Sequence, residues 1–339
     1  MKLKRFEGNP ILGPKADSWW ESLVVTNPGA WYDAVSGEVL LLYRAAGKDR
    51  EHKVYLGLAR SKDGKHFERT SNEPVLRPSE LGFDGGCVED PRLHKFGDWF
   101  YVTYASRPFP PGEYWLPREQ RLNPPEMPPD APWMLRKNAT ATLVGMTKDF
   151  KTWYRAGRCT LNSVDDRDVY YLPERVGGKY HMIHRPMNWT GPKYGTDYPA
   201  MWISSGDDLL CCDDSKLLAK AEFEWENKKI GGNTPPLKTS LGWLTLYHAV
   251  GKDGHYRLGA MLLDLHDPSI VRFRTRDWLL QPEMDYELEG FYPGVCFPCG
   301  KVILDDTLHV YYGGADKYIG LATCSVSELL HYMQTCPVD

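Results

Sequence analysis

A short apolar stretch ending in an aromatic residue or histidine occurs five times along the chain. The copies are Val39-Leu40-Leu41-Leu42-Tyr43, Phe100-Tyr101-Val102-Thr103-Tyr104, Tyr180-His181-Met182-Ile183-His184, Trp243-Leu244-Thr245-Leu246-Tyr247 and Leu308-His309-Val310-Tyr311-Tyr312. Successive copies are 61, 80, 63 and 65 residues apart. A period of this length, with strands as the repeating unit, restricts the fold to radially or linearly repeated β-sheet.

A second unit follows each copy, rich in small and apolar residues: Leu56-Gly57-Leu58-Ala59, Thr142-Leu143-Val144-Gly145, Ala200-Met201-Trp202-Ile203, Leu258-Gly259-Ala260-Met261 and Ile319-Gly320-Leu321-Ala322. A third, Pro-flanked unit reads as an outer strand at Pro74-Val75-Leu76-Arg77-Pro78 and Leu279-Leu280-Gln281-Pro282. The fifth repeat lacks it. The N-terminus, however, carries Asn9-Pro10-Ile11-Leu12-Gly13-Pro14 with no earlier strands to join. Pairing that segment with the last repeat closes a ring and removes two exposed edges. The expectation is therefore an all-β, five-bladed β-propeller closed by the N-terminal strand, one domain over residues 1–339. About 65 residues per repeat suits four antiparallel strands with generous loops, and 31 Gly and 26 Pro fit a turn-rich chain with no extended 3.6-residue periodicity.

The long spacing contains residues 108–133, with nine prolines in 26 positions. That segment cannot be a central strand. Placed just after an inner strand, it is expected to hang over one face of the ring, or to pack against a neighbouring subunit.

Composition excludes several classes of function. The net charge is −4 with no basic block, which argues against nucleic acid. The N-terminus has no apolar run of signal-peptide type, and no stretch has the length of a membrane helix. Eight scattered cysteines, including one CxxC at Cys296–Cys299, read as free thiols of a cytoplasmic protein rather than a zinc site.

Propellers bind ligands where blades converge on the channel mouth. The position after the repeated aromatic is Arg44, Ala105, Arg185, His248 and Gly313. Three of the five are or can be cationic, and their convergence predicts an axial anion site. A second set opens the strands before them: Gly86-Cys87-Val88-Glu89-Asp90-Pro91-Arg92, Asp165-Asp166-Arg167-Asp168 and Gly231-Gly232-Asn233-Thr234-Pro235-Pro236.

The first of these resembles the signature of glycoside hydrolase family 130, inverting β-mannoside phosphorylases and related β-mannosidases. Further landmarks follow in order: Met182-Ile183-His184-Arg185-Pro186, Pro235-Pro236-Leu237-Lys238-Thr239, Gly242 to His248, Tyr256-Arg257-Leu258-Gly259-Ala260, Phe297-Pro298-Cys299-Gly300 and Tyr311 to Asp316. The resemblance spans nearly the whole chain except the Pro-rich insertion. It implies a five-bladed propeller, in agreement with the repeats. It also implies Asp90 as the single catalytic acid, acting on the glycosidic oxygen through a mannose hydroxyl. Asn27, Arg44 and Asp316, with Tyr247, would hold the sugar. Arg167 (where the family often has Lys), Arg185, Lys229 and His248 would bind phosphate.

The implied chemistry is self-consistent. Inverting hydrolysis needs a second carboxylate to activate water. Phosphorolysis does not, because phosphate is already an anionic nucleophile; it needs cations to hold it. The expected function is reversible phosphorolysis of a β-mannoside to α-mannose 1-phosphate. The alternatives are an inverting β-mannosidase on the same fold and a non-catalytic glycan-binding propeller. No Glu occupies the matched cationic positions, which favours the first. Expected partners are a β-mannoside oligosaccharide and inorganic phosphate as co-substrate, with no metal or other cofactor, no nucleic acid and no membrane; a homo-oligomer is compatible with the chain.

Overall fold

A computed structural model describes residues 1–80 and 82–338. It contains five antiparallel sheets in chain order. Blade 1 is Val24–Asp33, Glu38–Ala46, Val54–Ser61 and Glu68–Arg69; blade 2 is Glu89–Phe96, Trp99–Ser106, Ala141–Thr147 and Tyr154–Arg158. Blade 3 is Asp166–Tyr171, Tyr180–Pro186, Met201–Gly206 and Asp214–Ala219. In blade 4 the innermost position is split: Lys229–Gly232 and Leu237–Thr239 both pair with Gly242–Val250, followed by Tyr256–Leu263 and Val271–Arg274. Blade 5 is Cys296–Leu304, Thr307–Gly314 and Tyr318–Ser325, completed by Lys4–Arg5 from the N-terminus.

Backbone hydrogen bonds link each blade to the next: Val88 N to Val54 O, Ile230 N to Pro199 O, Tyr256 N to Gly294 O and Val25 N to Lys317 O. Between blades 2 and 3 the links are Asp166 N to Thr140 O and Thr103 Oγ1 to Val169 O. The sequence of links returns to blade 1, so the ring is a closed five-bladed propeller. Closure by the N-terminus is as expected: Lys4 and Arg5 pair with Thr323 and Ala322, and Leu12 bridges Ile319.

The Pro-flanked segments need one correction. They do not form the outer strands by themselves. Leu76 and Leu280 each make a single bridge, to Leu56 and Leu258, and the outer strands are the short pieces Glu68–Arg69 and Val271–Arg274. The flanking prolines cannot donate to a ladder, so pairing stops after one bridge.

The repeated aromatic has a structural role. In four blades its hydroxyl donates to a buried carboxylate that also takes an outer-strand arginine. These sets are Tyr43–Glu21–Arg69, Tyr104–Asp84–Arg155, Tyr247–Glu226–Arg274 and Tyr312–Glu287–Arg5. Three of the rings lie over a glycine of the next strand, at Tyr43↔Gly57, Tyr247↔Gly259 and Tyr312↔Gly320. A Cβ at any of these glycines would strike the ring, which explains the small residues of the second unit. Arg5 comes from the N-terminal strand, so ring closure also supplies the arginine of blade 5. In blade 3, His184 takes the tyrosine's place and contacts Asp166 and Ser204 instead.

One helix, Val326–Gln334, follows blade 5. Ser325 caps it by accepting from Glu328 N, and Leu329 and Met333 enter the core shared by blades 4 and 5. No helix among the described residues is long and apolar enough to cross a membrane.

Candidate active site

Each inner strand starts at the same mouth of the channel. In blades 1, 2 and 3 it carries one extra residue near its start, seen as register shifts between Thr26 and Gly29, Glu89 and Arg92, and Arg167 and Tyr170. Inside these bulges Asn27, Asp90 and Asp168 have φ of 45°, 53° and 56°. Asn and Asp are the non-glycine residues that best tolerate this left-handed region. A bulge re-aims the side chain it carries. Three consecutive blades thus turn one short polar side chain each toward the axis. Opposite them, the register places Arg44 against Thr26, Ala105 against Glu89, Arg185 against Arg167, His248 against Gly231 and Gly313 against Phe297. The five positions inferred from the repeats are therefore equivalent.

A cavity of about 440 Å³ opens there, lined by Asn27, Arg44, Glu89, Asp90, Arg167, Asp168, Arg185, Lys229 and Asp316 among others. On one side Asn27 Nδ2 donates to Asp90 Oδ1 at 2.8 Å and Arg44 Nη1 lies 3.3 Å from the same oxygen. Asp90 Oδ2 makes no hydrogen bond among the described residues. Arg44 also pairs with Glu89 at 3.3 Å. It therefore neutralises the acidic side and does not join the anion site suggested by its place in the repeat. Asp316 sits in a left-handed turn (φ 55°), and Tyr114 OH donates to its Oδ2 at 3.0 Å. Burial raises the Asp316 carboxyl against the pull of Arg44.

The other side is cationic. Asp165 grips Arg167 through both oxygens, at 2.6 and 2.9 Å. Arg185 Nε donates to Asp168 Oδ2 at 2.5 Å, and Arg92 Nη2 reaches Asp168 Oδ1 at 3.5 Å. Burial would raise the Asp168 carboxyl, but Arg185 and its cationic neighbours hold it well below the usual carboxylate range. Lys229 Nζ donates to Tyr256 OH. Burial, reinforced by Arg185, pushes the Lys229 ammonium down to about 7.

His248 does not line the cavity surface but lies directly beneath it, fully buried, with Nε2 3.8 Å from Asp168 Oδ2. Burial pushes its pKa well below the ordinary value, so the ring is neutral. Asn233 Nδ2 donates to Pro298 O at 2.7 Å, which leaves Asn233 Oδ1 as acceptor for His248 Nδ1–H at 2.7 Å. On this hydrogen-bond assignment Nε2 carries the lone pair and has no partner among the described residues. The expected donor is thus an acceptor. Gly231 makes the cluster possible: a Cβ there would collide with Asp168 Oδ2, Arg185 Nε and His248 Cε1.

Tyr247, assigned with the sugar-binding residues, is a correction. Side chains alternate along a strand. With His248 toward the axis, Tyr247 points into the blade, where it is fully buried and bonded to Glu226. The tyrosine of this blade that reaches the site is Tyr256, which lines the cavity and stacks on His248 at 5.4 Å. Sequence reasoning also passed over Asp168, whose position matches Asp90 one blade earlier. The Pro-rich segment does reach the site: Pro111, Tyr114 and Arg121 line the cavity, and Trp115 packs against His52 and Phe291 at 4.8 and 4.5 Å.

A closed propeller with carboxylates facing a cation cluster across an axial pocket has the layout of a carbohydrate-active enzyme. The chain belongs to glycoside hydrolase family 130: the family model, described as β-1,4-mannooligosaccharide phosphorylase, matches residues 3–110 and 136–335. It is 34% identical over 335 residues to a 1,2-β-oligomannan phosphorylase of Thermoanaerobacter, covering 97% of this chain and 99% of that one. A β-1,2-mannobiose phosphorylase of the same organism is 33% identical, with 95% and 96% covered. The solved β-1,2-mannobiose phosphorylase of Listeria innocua, in complex with β-1,2-mannobiose, superposes with a TM-score of 0.79 at 28% identity, over 99% of this chain and 100% of that one.

Proposed function

We propose that the protein is an inverting β-mannoside phosphorylase, converting a β-mannoside and inorganic phosphate reversibly into α-mannose 1-phosphate and a shortened sugar. The observation that carries this reading is that Arg167, Arg185 and Lys229 face the same cavity as Asp90. A hydrolase would need a second carboxylate there to activate water. Of the other lining carboxylates, Asp168 is paired with Arg185 and Asp316 with Tyr114, and Glu89 shares Arg44 with Asp90, on the same side of the cavity.

In this reading Asn27, Arg44 and Asp316 hold the mannosyl unit. Asp90, fixed through Oδ1, uses Oδ2 to deliver a proton to the glycosidic oxygen by way of a mannose hydroxyl. The C1–O bond to the leaving sugar breaks as a phosphate oxygen bonds C1 from the opposite face. Hydrogen phosphate suits the cluster: its oxygens take the donors of Arg167, Arg185 and Lys229, above the buried His248, and it carries one O–H proton of its own. That proton finally replaces the one lost by Asp90, so the cycle balances. Phosphate is the only co-substrate the reading requires.

The names of the relatives divide between β-1,2 and β-1,4 linkages. The experiment is incubation with β-1,2- and β-1,4-mannobiose in phosphate buffer, followed by ³¹P NMR. Appearance of α-mannose 1-phosphate from either disaccharide is the expected result. Free mannose alone, or the β-anomer of the phosphate ester, contradicts the proposal.

A further inference from the structure

The cavity contains more positive charge than the reaction requires. Arg44, Arg167 and Arg185 each have a carboxylate partner, and Lys229 is bonded to Tyr256. Two further guanidiniums line the same space, Arg107 and Arg121, and neither forms an ion pair among the described residues. Arg107 Nη1 reaches only the Asn138 carbonyl, at 3.3 Å, and its Nε is buried with no hydrogen-bond partner. Arg121 Nε is spent on the Leu116 carbonyl at 2.6 Å, and its terminal nitrogens have no protein partner among the described residues.

An unpaired guanidinium at a partly desolvated cavity wall is costly unless its ligand supplies the counter-charge. Arg107 lies near enough to Asp165, the partner of Arg167, to help hold that carboxyl down, so it flanks the phosphate side; Arg121 remains unaccounted for. Arg167, Arg185 and Lys229 already offer phosphate one set of donors. The mannosyl side is ringed by Glu89, Asp90 and Asp316, which would repel an anionic group there. The remaining part of the cavity is the acceptor side. Arg121 lies in residues 111–135, outside the two stretches that the family model matches. It is brought to the site by the Pro-rich segment. Tyr114 of the same segment is tied to Asp316, which pins the roof over the cavity.

We propose that the sugar accepted and released beyond Asp90 is anionic, carrying a carboxylate or a phosphate ester that Arg121 binds. The proposal rests on the phosphorolytic reading above and specifies its acceptor. A planar guanidinium matches either group bidentately, so the class of acceptor is a uronate or a sugar phosphate.

The test runs the reaction in reverse, with α-mannose 1-phosphate as donor. Glucuronate, glucose 6-phosphate and glucose are compared as acceptors, and mannuronate with mannose. At least one anionic acceptor should exceed its neutral parent in kcat/KM by about tenfold or more. The ratio should shrink in 0.5 M NaCl and collapse toward one in Arg121→Gln, with partial recovery in Arg121→Lys. Which anion wins separates uronate from phosphate ester. Neutral acceptors used as well as or better than both anions in the wild type overturn the proposal and leave phosphorolysis standing. So does an anionic preference that survives in Arg121→Gln. No transfer from α-mannose 1-phosphate to any acceptor sinks the proposed function along with it.

Discussion

Tyr247 and His248 are neighbours on one strand, yet they belong to regions built on opposite principles. Tyr247 joins Glu226 and Arg274 in a buried set that recurs in four of five blades, with every charge matched inside the blade. His248 joins Asp168, Arg185 and Lys229 at the axis, where the equivalent positions of the other blades hold Arg44, Ala105 and Gly313. The first region repeats and pairs each arginine with a carboxylate; the second departs from the repeat and keeps unused donors and lone pairs. In a cyclic repeat the fold is maintained by what every blade shares. Ligand chemistry becomes possible where the blades differ, because only there can unlike groups meet on the axis. Blade 3 shows the exchange within one unit. It lacks the tyrosine set, and its first strand supplies Arg167 and Asp168 to the pocket.

Substitutions on the two sides should therefore fail in different ways. The largest effect is expected from Asp90→Asn, which keeps the hydrogen-bonding shape but cannot donate the proton. Turnover in both directions should fall by about 10²–10⁴-fold, with a melting temperature close to wild type. Near-normal kcat would remove Asp90 from its role. Glu226→Gln is the structural counterpart. It leaves the Arg274 charge buried without its partner and should lower stability by about 3–5 kcal/mol. The KM for phosphate of the folded fraction should be unchanged. A selective rise in that KM with normal stability would mean the tyrosine sets are part of the binding site.

Gly231→Ala should loosen the junction of Asp168, Arg185 and His248 and raise the phosphate KM by about tenfold. Kinetics indistinguishable from wild type would show that the close approach at Gly231 is dispensable. The smallest effect concerns Lys229. Its pKa is lowered to about 7, so the ammonium is lost as pH rises through neutrality. Sulfate keeps a constant charge over this range, and its inhibition should weaken a few-fold, on the order of 0.5–1 kcal/mol, between pH 6 and 8.5. Lys229→Gln should flatten that dependence. Constant inhibition in the wild type would place the lysine pKa well above 8.5.

The shared part of the molecule was legible in the sequence because it recurs. Five apolar strands, their glycine-bearing partners and the unattached N-terminal segment were enough to close the ring. The axial residues Arg44, Arg185 and His248 followed from their fixed offset to the repeated aromatic. Tyr247 was misassigned because adjacency in a motif was allowed to outweigh the two-residue alternation of a strand. Asp168 went unassigned because a bulge leaves no mark in spacing alone; alignment of Arg167-Asp168 with Glu89-Asp90 would have revealed it. The C-terminal helix had a readable start in Ser325 and Glu328, a Ser-x-x-Glu pattern that period-counting missed. Arg121 could not be placed from the sequence. A Pro-rich segment encodes stiffness, but where it folds back is decided by contacts such as Tyr114 with Asp316 and Trp115 with Phe291.

The central claim is that cations at the axis take the place of a catalytic base. Its most direct test is cleavage of β-mannobiose in phosphate-free buffer, then with phosphate restored, in the wild type and in Arg185→Ala. The wild type should release no sugar until phosphate is added, and Arg185→Ala should require about tenfold more phosphate for the same rate. Release of free mannose at an equal rate with and without phosphate would contradict the account.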